Sequence, residues 1–302
     1  MKILAIVVTY NAMQWADRCF GSLFQSSVDP DVYVVDNGST DGTQSYIEER
    51  FPKIIFHQSD KNLGFGKANN LGLQYALDNQ YDYVYLLNQD AWVMPDTFEK
   101  LIKISEENPE YGILSPFQMN ADLRHIDKNF VAGVCSWYSN RELFTDIYMG
   151  EVRKIYDVPV VMAAHWFITR RCIEIAGGFS PSFVHYSEDD NYCDRLCYHK
   201  IRVGIVPSLK VVHDRSERAL SKIKMVYLSY TNTIRIISNP NNKKYDNIIW
   251  CILYIIKYVL NSIKEYNSLL PFKYGAILIT NLGRISRNRV VSIKETKSFL
   301  NQ

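Results

Sequence analysis

Residues 32–43 read VYVVDNGSTDGT. A short β-branched run that ends in an acid and then in turn-forming residues is a buried strand delivering a carboxylate to its C-terminal edge. Working outward, KILAIVVTY (2–10) is a second such strand, closed by Thr9-Tyr10-Asn11, and residues 12–25 carry helical spacing of apolar positions. Further strands are expected over 53–58, 82–87 and 111–116. Helices are expected up to Arg50 and over 65–77, and Pro95 is expected at the N1 position of another. This alternation predicts an α/β fold with a doubly wound, mainly parallel sheet flanked by helices. Ligands of such sheets bind beyond the carboxyl ends of the strands.

From 120 to 158 the pattern breaks into what reads as short aromatic strands and loops. A strand is expected over 160–168, a short helix over 170–176 ended by Gly177-Gly178, and a helix over 188–199 with acids in its first turn. Short strands are expected over 201–206 and 209–213. Beyond Ser221 the chain reads as helical, over 223–237, 247–263 and a weaker 274–282. The expected division is therefore a first domain over 1–221, with halves of about 1–118 and 119–221, and a helical, basic C-terminal extension over 222–302.

The chain has 302 residues and a net charge of only +2, unevenly spread. Residues 241–302 hold ten Lys and Arg against three acids, a net +7 that leaves −5 for the rest. Such a tail is either a solvated pair of basic helices or a surface for an anionic partner. Six cysteines (19, 135, 172, 193, 197, 251) form no CxxC pair and no zinc spacing, which fits a reducing, cytoplasmic setting. MKILAIVVTY reads as a strand rather than a leader. The apolar run 248–256, extended past Lys257 to Leu260, is too short to span a bilayer comfortably.

Polar groups gather where the strands end. Asp36, followed by Asn37, is placed to accept from a base N–H or a ribose hydroxyl, beside a turn that also explains Asn37-Gly38 and Asp41. The tract NLGFGKANNLG (62–72) offers Asn62, Gly64 and Lys67. It lacks the third glycine of a dinucleotide fingerprint and follows the wrong strand, so its glycines serve a close approach, either to a ligand or between elements. Asn88-Gln89-Asp90 leaves an apolar strand, and an acid there is costly unless paired or bound to a cation such as Mg²⁺ or Mn²⁺. Glu188-Asp189-Asp190 opens a helix. The helix dipole favours acids there, but three in a row exceed what capping needs, and one can serve as a general base. His213 ends a strand, suited to completing a metal shell with Asp90 or to contacting a diphosphate, and Arg215 and Arg218 follow it.

Taken in order over residues 1–215, VVTYN, VVDNGSTDGT, NLGFGKANNLG, LLNQD, GGFSPSFVHYSEDDNYCDRL and VPSLKVVH resemble glycosyltransferase family 2, the inverting GT-A transferases, and most closely the rhamnosyltransferases of bacterial surface polysaccharides. The resemblance implies a GT-A fold whose first half holds a nucleotide-sugar and whose second half holds a glycan or lipid-linked acceptor. It implies nucleoside contacts from Thr9, Asn11 and Asp36, with Asn37, Asn62, Gly64, Lys67 and Asn88 around the nucleotide. It implies a divalent metal at Asp90 with His213, Asp189 as base with Glu188 beside it, and Trp166, Gly177 and Gly178 toward the acceptor. Asn88 stands where the family's metal motif begins with an acid, which implies either weaker metal affinity or a ribose contact from a neutral amide.

No nucleic acid is expected as a partner. The C-terminal helices are expected to pack on the first domain, pair with a second copy or lie on the inner face of a membrane. A sugar nucleotidyltransferase would show a Gly-rich basic loop after the first strand, which VVTYNAMQW lacks. A non-catalytic nucleotide- or glycan-binding protein of the same fold remains the rival, and it would not need Asp189.

Overall fold

The computed structural model describes residues 1–134, 141–215 and 220–300. Strands and helices alternate as β1 (Ile3–Thr9), α1 (Met13–Phe24), β2 (Asp31–Asp36), α2 (Thr43–Arg50), β3 (Ile55–Gln58), α3 (Phe65–Asp78) and β4 (Tyr83–Asn88). These strands pair in parallel, β1 with β2 and β4, and β2 with β3. Thr9 therefore lies opposite Asp36 and Val8 opposite Asn88, so three polar strand ends share one edge. β1 reads as an unbroken apolar run because both its faces are covered. Leu4 and Ile6 join one core with Leu73, Trp166 and Phe179. Ile3, Ala5 and Val7 join another with Phe20, Phe98 and Leu101.

The chain continues through β5 (Ala91–Trp92), α4 (Thr97–Glu107), β6 (Tyr111–Met119), α5 (Lys128–Val134), α6 (Arg141–Met149), β7 (Tyr156–Asp157), β8 (His165–Thr169), α7 (Arg170–Ala176), α8 (Glu188–Tyr198) and β9 (Arg202–His213). Among the described residues the nine-stranded sheet has the order β3-β2-β1-β4-β8-β6-β9-β5, with β7 also on β9. β8 runs antiparallel to both β4 and β6, and β6 and β9 are parallel. The sheet is thus mostly parallel, with β8 reversed at its centre and the two-residue strands β5 and β7 reversed against β9.

The last three helices, α9 (Lys222–Ser238), α10 (Ile248–Tyr266) and α11 (Leu270–Lys294), build a third core from Ile234, Ile237, Cys251, Ile255, Leu278, Leu282 and Ile285, joined by Phe183 from the loop before α8. The chain end then returns to the first core. Gly178 N–H donates to Ser298 O (2.8 Å), Lys297 N–H donates to Glu174 O (3.1 Å), and Leu300 is buried there.

Several elements differ from the sequence reading. α4 starts at Thr97 with Asp96 as its N-cap, so Pro95 precedes the cap rather than occupying N1. The described part of 120–158 holds two helices, and of the expected short aromatic strands it holds the two-residue β7. The carboxylate of Asp127 accepts from Phe130 N–H (2.7 Å) and caps α5, while α6 turns Phe144, Ile147 and Tyr148 outward and buries only Leu143. The expected strand 160–168 is confined to β8. Residues 201–213 form one strand, whose pairing with β6 jumps from Val206 to Lys210 across Pro207, a proline accommodated in a bulge. α11 extends far beyond 274–282.

Gly177 has φ +73°, and a Cβ there would meet Ser298 O at 2.0 Å. Gly283, on α11, has nothing within 4 Å of the same position. Gly177→Ala is expected to lose more than about 1 kcal/mol in urea denaturation, whereas Gly283→Ala is expected to be neutral or to gain up to about 1 kcal/mol from helix propensity.

Candidate active site

The first layer of the site is a knot among the loops after β1 and β2. Asp36 is fully buried and its carboxylate accepts four hydrogen bonds: from Thr9 Oγ1 (2.7 Å), Ser39 Oγ (2.5 Å), Ser39 N–H (2.8 Å) and Gln58 Nε2 (3.0 Å). Asn11, at φ +51°, receives Thr40 N–H on its Oδ1 (2.9 Å) and gives its own N–H to Ser39 Oγ (2.8 Å). Asp41 accepts from Thr43 Oγ1 (2.5 Å) and Met13 N–H (3.2 Å). Burial opposes its ionisation, but these bonds outweigh burial and hold its pKa below the usual value. Asn37 Oδ1 accepts from Leu63 N–H (3.2 Å), which brings in the loop before α3.

Gln89 ties β4 to this knot. Its Oε1 accepts from Tyr10 N–H (2.7 Å) and its Nε2 donates to Tyr10 O (3.2 Å). Beside it, Asp90 Oδ1 lies 3.4 Å from His213 Nε2, and Asn88 Nδ2 lies 3.5 Å from the same nitrogen. Burial raises the Asp90 pKa, but His213 and then Arg215 outweigh it and keep it below the usual value. His213 is fully buried, and its Nδ1 has no hydrogen-bond partner among the described residues. The neighbouring His165 sits with Nε2 2.9 Å from Val212 O and Nδ1 2.8 Å from the Tyr85 hydroxyl. Burial pushes its pKa down to about 3, so it is a neutral structural ring that donates to the carbonyl and accepts from the tyrosine.

The acids arrive at the N-terminus of α8. Tyr186 and Ser187, both with φ near +70° and neither a glycine, form a strained entry to this helix. Ser187 caps nothing and instead donates to Thr231 Oγ1 (3.2 Å) of α9. Asp189 accepts from Asp190 N–H (2.9 Å), and the Ala163 N–H favours its ionised form. The next residue, Ala164, accepts from Asn88 N–H through its carbonyl (3.1 Å). Two consecutive residues thus join the acidic helix to the β4 end. Glu188 is buried and its Oε2 has no partner among the described residues. Asp190 faces Arg235 Nη1 (3.2 Å), whose guanidinium also donates twice to Asp194 (2.8 and 3.1 Å). Burial, and for Glu188 and Asp190 the neighbouring Asp189 charge, push all three carboxyls above their usual range.

The structure brings Thr9, Asn11, Asp36, Asn37, Asn88, Asp90, His213, Glu188 and Asp189 onto one edge of the sheet. Asp36 differs from a free ligand group, since all its accepting capacity is spent inside the protein. Asn62 accepts from Gly64 N–H (2.8 Å), and Lys67 is exposed in the first turn of α3. Gly64 serves packing between elements: a Cβ there would meet Val184 O at 2.3 Å.

Three residues expected on the acceptor side lie in the core. Trp166 is fully buried, stacks on Phe179 (5.9 Å) and donates to Val161 O (3.1 Å). Gly177 and Gly178 are buried under the chain end, and their carbonyls hold α8 by accepting from the Tyr192 hydroxyl (2.8 Å) and Arg195 Nη2 (2.6 Å). They support the acids from beneath. Arg218 lies outside the described residues. The sequence reading missed Gln89, Ser39 and Gln58, which orient the loops, and Arg235. Gln89 was flagged only by its neighbours, and nothing local marks Arg235.

The family model described as glycosyl transferase family 2 matches residues 4–171. The chain belongs to glycosyl transferase family 2. It is a glycosyltransferase with a GT-A fold. It is 26% identical over 231 residues to an N-acetylglucosaminyl-diphospho-decaprenol L-rhamnosyltransferase of Mycobacterium tuberculosis, covering 70% of this chain and 75% of the relative. It is 23% identical over 222 residues to the dTDP-rhamnosyl transferase RfbF of Shigella flexneri, covering 72% and 71%. Its fold is similar to that of S. aureus TarS residues 1–349, solved with UDP-GlcNAc (TM-score 0.55, 14% identity, 97% of this chain and 91% of that one). It is also similar to that of the mannosyltransferase PcManGT of Pyrobaculum calidifontis, solved with GDP-Man and Mn²⁺ (TM-score 0.54, 18% identity, 96% and 73%).

The raised Glu188 carboxyl has a stability consequence. Folding favours its protonated form, so its contribution is fully present below the unfolded pKa and is lost as pH rises through the higher folded value. Glu188→Gln, which imitates the protonated form, is expected to melt above wild type at pH 8, with the gap closing by pH 5. Thermal unfolding at the two pH values checks this.

Proposed function

We propose that the chain transfers a sugar from a nucleoside-diphosphate donor to a hydroxyl of a glycan or lipid-linked glycan, with inversion at the anomeric carbon. The observation that carries this is the meeting of two acidic segments at Ala163-Ala164: Asn88 N–H, at the end of β4, donates to Ala164 O (3.1 Å), and the neighbouring Ala163 N–H favours the ionised form of Asp189. dTDP-rhamnose is the first donor and a UDP-hexose the second. The names of the two rhamnosyltransferase relatives support that order, and one of them supports a polyprenyl-diphosphate acceptor met at a membrane surface.

In the proposed reaction Asp189 takes the proton of the acceptor hydroxyl. The oxygen attacks the anomeric carbon from the face opposite the nucleotide as the bond to the diphosphate breaks, so one displacement inverts the configuration. The Asp190 and Ala163 N–H groups aim the Asp189 carboxylate, and Arg235 occupies Asp190 so that the two acids have different tasks. The knot around Asp36 fixes the walls of the nucleotide site, where Asn37, Asn62, Lys67, Asn11 and Thr9 are the nearby polar groups.

No group of three His, Cys, Asp or Glu side chains able to hold a metal occurs among the described residues. Asp90 nevertheless fits Mg²⁺ or Mn²⁺, since such a cation is commonly held by one or two carboxylates plus substrate phosphates. When bound, it would neutralise charge building on the leaving diphosphate. His213 Nε2, 3.4 Å from Asp90 Oδ1, is the second group that would hold the cation; with its proton on that nitrogen it would instead donate to Asp90 or a diphosphate oxygen.

Asp189→Asn is expected to lower kcat by roughly 10²–10⁴-fold while nucleotide affinity stays near wild type. A transfer assay with dTDP-rhamnose and a polyprenyl-diphosphate-linked GlcNAc, run beside nucleotide titrations, reads both. Full turnover by Asp189→Asn would remove the base and bring forward a non-catalytic binding protein.

A further inference from the structure

α10 is apolar on two faces and only one of them is used. Cys251, Ile255, Tyr258 and Ser262, spaced by three and four residues, point into the bundle core. The adjacent stripe of Ile249, Ile252, Leu253, Ile256 and Leu260 has the same periodicity and is 38–62% exposed, although it contains no polar residue. Contiguous exposed apolar surface of this kind marks an interaction site. Lys257 and Lys264 border it, both exposed. At its start Lys244 Nζ lies 4.1 Å over the ring of the exposed Trp250, an aromatic–cation pair at the edge of an apolar face. No helix among the described residues is long and apolar enough to cross a membrane.

We propose that this face of α10 lies flat in the interface of an anionic phospholipid bilayer, with the isoleucines and leucines among the acyl chains and the lysines at the head groups. The net +7 of residues 241–302 complements such a surface. A second copy of the chain fits less well, because an isologous contact through the stripe brings two lysine borders together. The orientation also serves access. The C-terminal end of α10 meets the start of α9, where Lys222 Nζ donates to Asn267 O (3.0 Å), and exposed Ile223, Leu269 and Phe272 lie in those segments. Two residues further along α9, Lys224 Nζ lies 5.1 Å from the ring of Tyr186, two residues before Glu188. The first turn of α9 thus touches both the end of α10 and the approach to the acids. The docking rests on this surface alone and not on the donor or acceptor assignment.

The test is co-sedimentation of the full chain with vesicles of phosphatidylcholine alone and of phosphatidylcholine with phosphatidylglycerol, with light scattering of the protein without lipid. Binding is expected to the anionic vesicles only, weakening as salt rises. The pair Leu253→Glu with Ile256→Glu is expected to cut it at least about tenfold, and Lys257→Gln about fivefold. Both variants should keep the wild-type melting temperature, since the side chains are exposed. Absence of binding to anionic vesicles, binding unchanged in the Glu variant, or a wild-type dimer that the Glu variant dissociates would each overturn the proposal. Nucleotide binding is unaffected in every case, so failure here leaves the transferase reading standing.

Discussion

The carboxylate of Asp36 is the fixed point of this protein. Four donors from the end of β1, the loop after β2 and the end of β3 converge on it in a place water does not reach. A buried carboxylate is tolerated only when its oxygens are filled. That requirement sets the mutual position of the three strand ends and folds the turn 37–43 back onto residues 9–13. Gln89 then fastens β4 to the same cluster through the Tyr10 backbone. This edge of the GT-A fold is consequently held by its own hydrogen bonds, which would lower the ordering cost of binding the proposed nucleotide.

The acids are held by a different means. α8 begins with two left-handed residues and no side-chain cap, so its first turn is supported from outside. Thr231 and Arg235 of α9 hold Ser187, Asp190 and Asp194, and the carbonyls beneath α7 hold Tyr192 and Arg195. The chain end covers those carbonyls in turn, with Ser298 Oγ donating to Ala176 O (3.0 Å). The C-terminal helices are therefore a supporting wall of the site as well as a bundle with its own core.

The strands were legible because burial on both faces leaves unbroken β-branched runs ending in polar residues. For the same reason Asp36, Asp90 and His213 could be picked out, whereas Asp189 stood out by the run of acids that opens α8. Other parts were hidden for physical reasons. α6 faces its aromatic residues outward, which destroys the expected periodicity. The buried positions of α11 include Gly275, Arg289 and Ser292, which do not look like core. Pro207 made one bulged strand look like two. Trp166 could be placed near the site but not aimed, since neighbouring residues on β8 alternate between the two cores. Arg235 reaches Asp194 across 41 residues of chain, and no local pattern records such a pair. Gly64 reads as a site of close approach and Gly177-Gly178 as a helix end toward the acceptor, but at each the close neighbour is the protein itself.

The most direct measurement is thermal stabilisation by UDP, dTDP, GDP, CMP and NAD, each with and without Mn²⁺, in wild type and Asp90→Asn. A ligand that binds only the folded chain stabilises it by about 2.7 kcal/mol at one hundred times its dissociation constant. The account predicts a shift of several degrees with dTDP or UDP, enlarged by Mn²⁺, and loss of the metal enhancement in Asp90→Asn. No shift with any nucleoside diphosphate, or an enhancement by Mn²⁺ that survives Asp90→Asn, would contradict it.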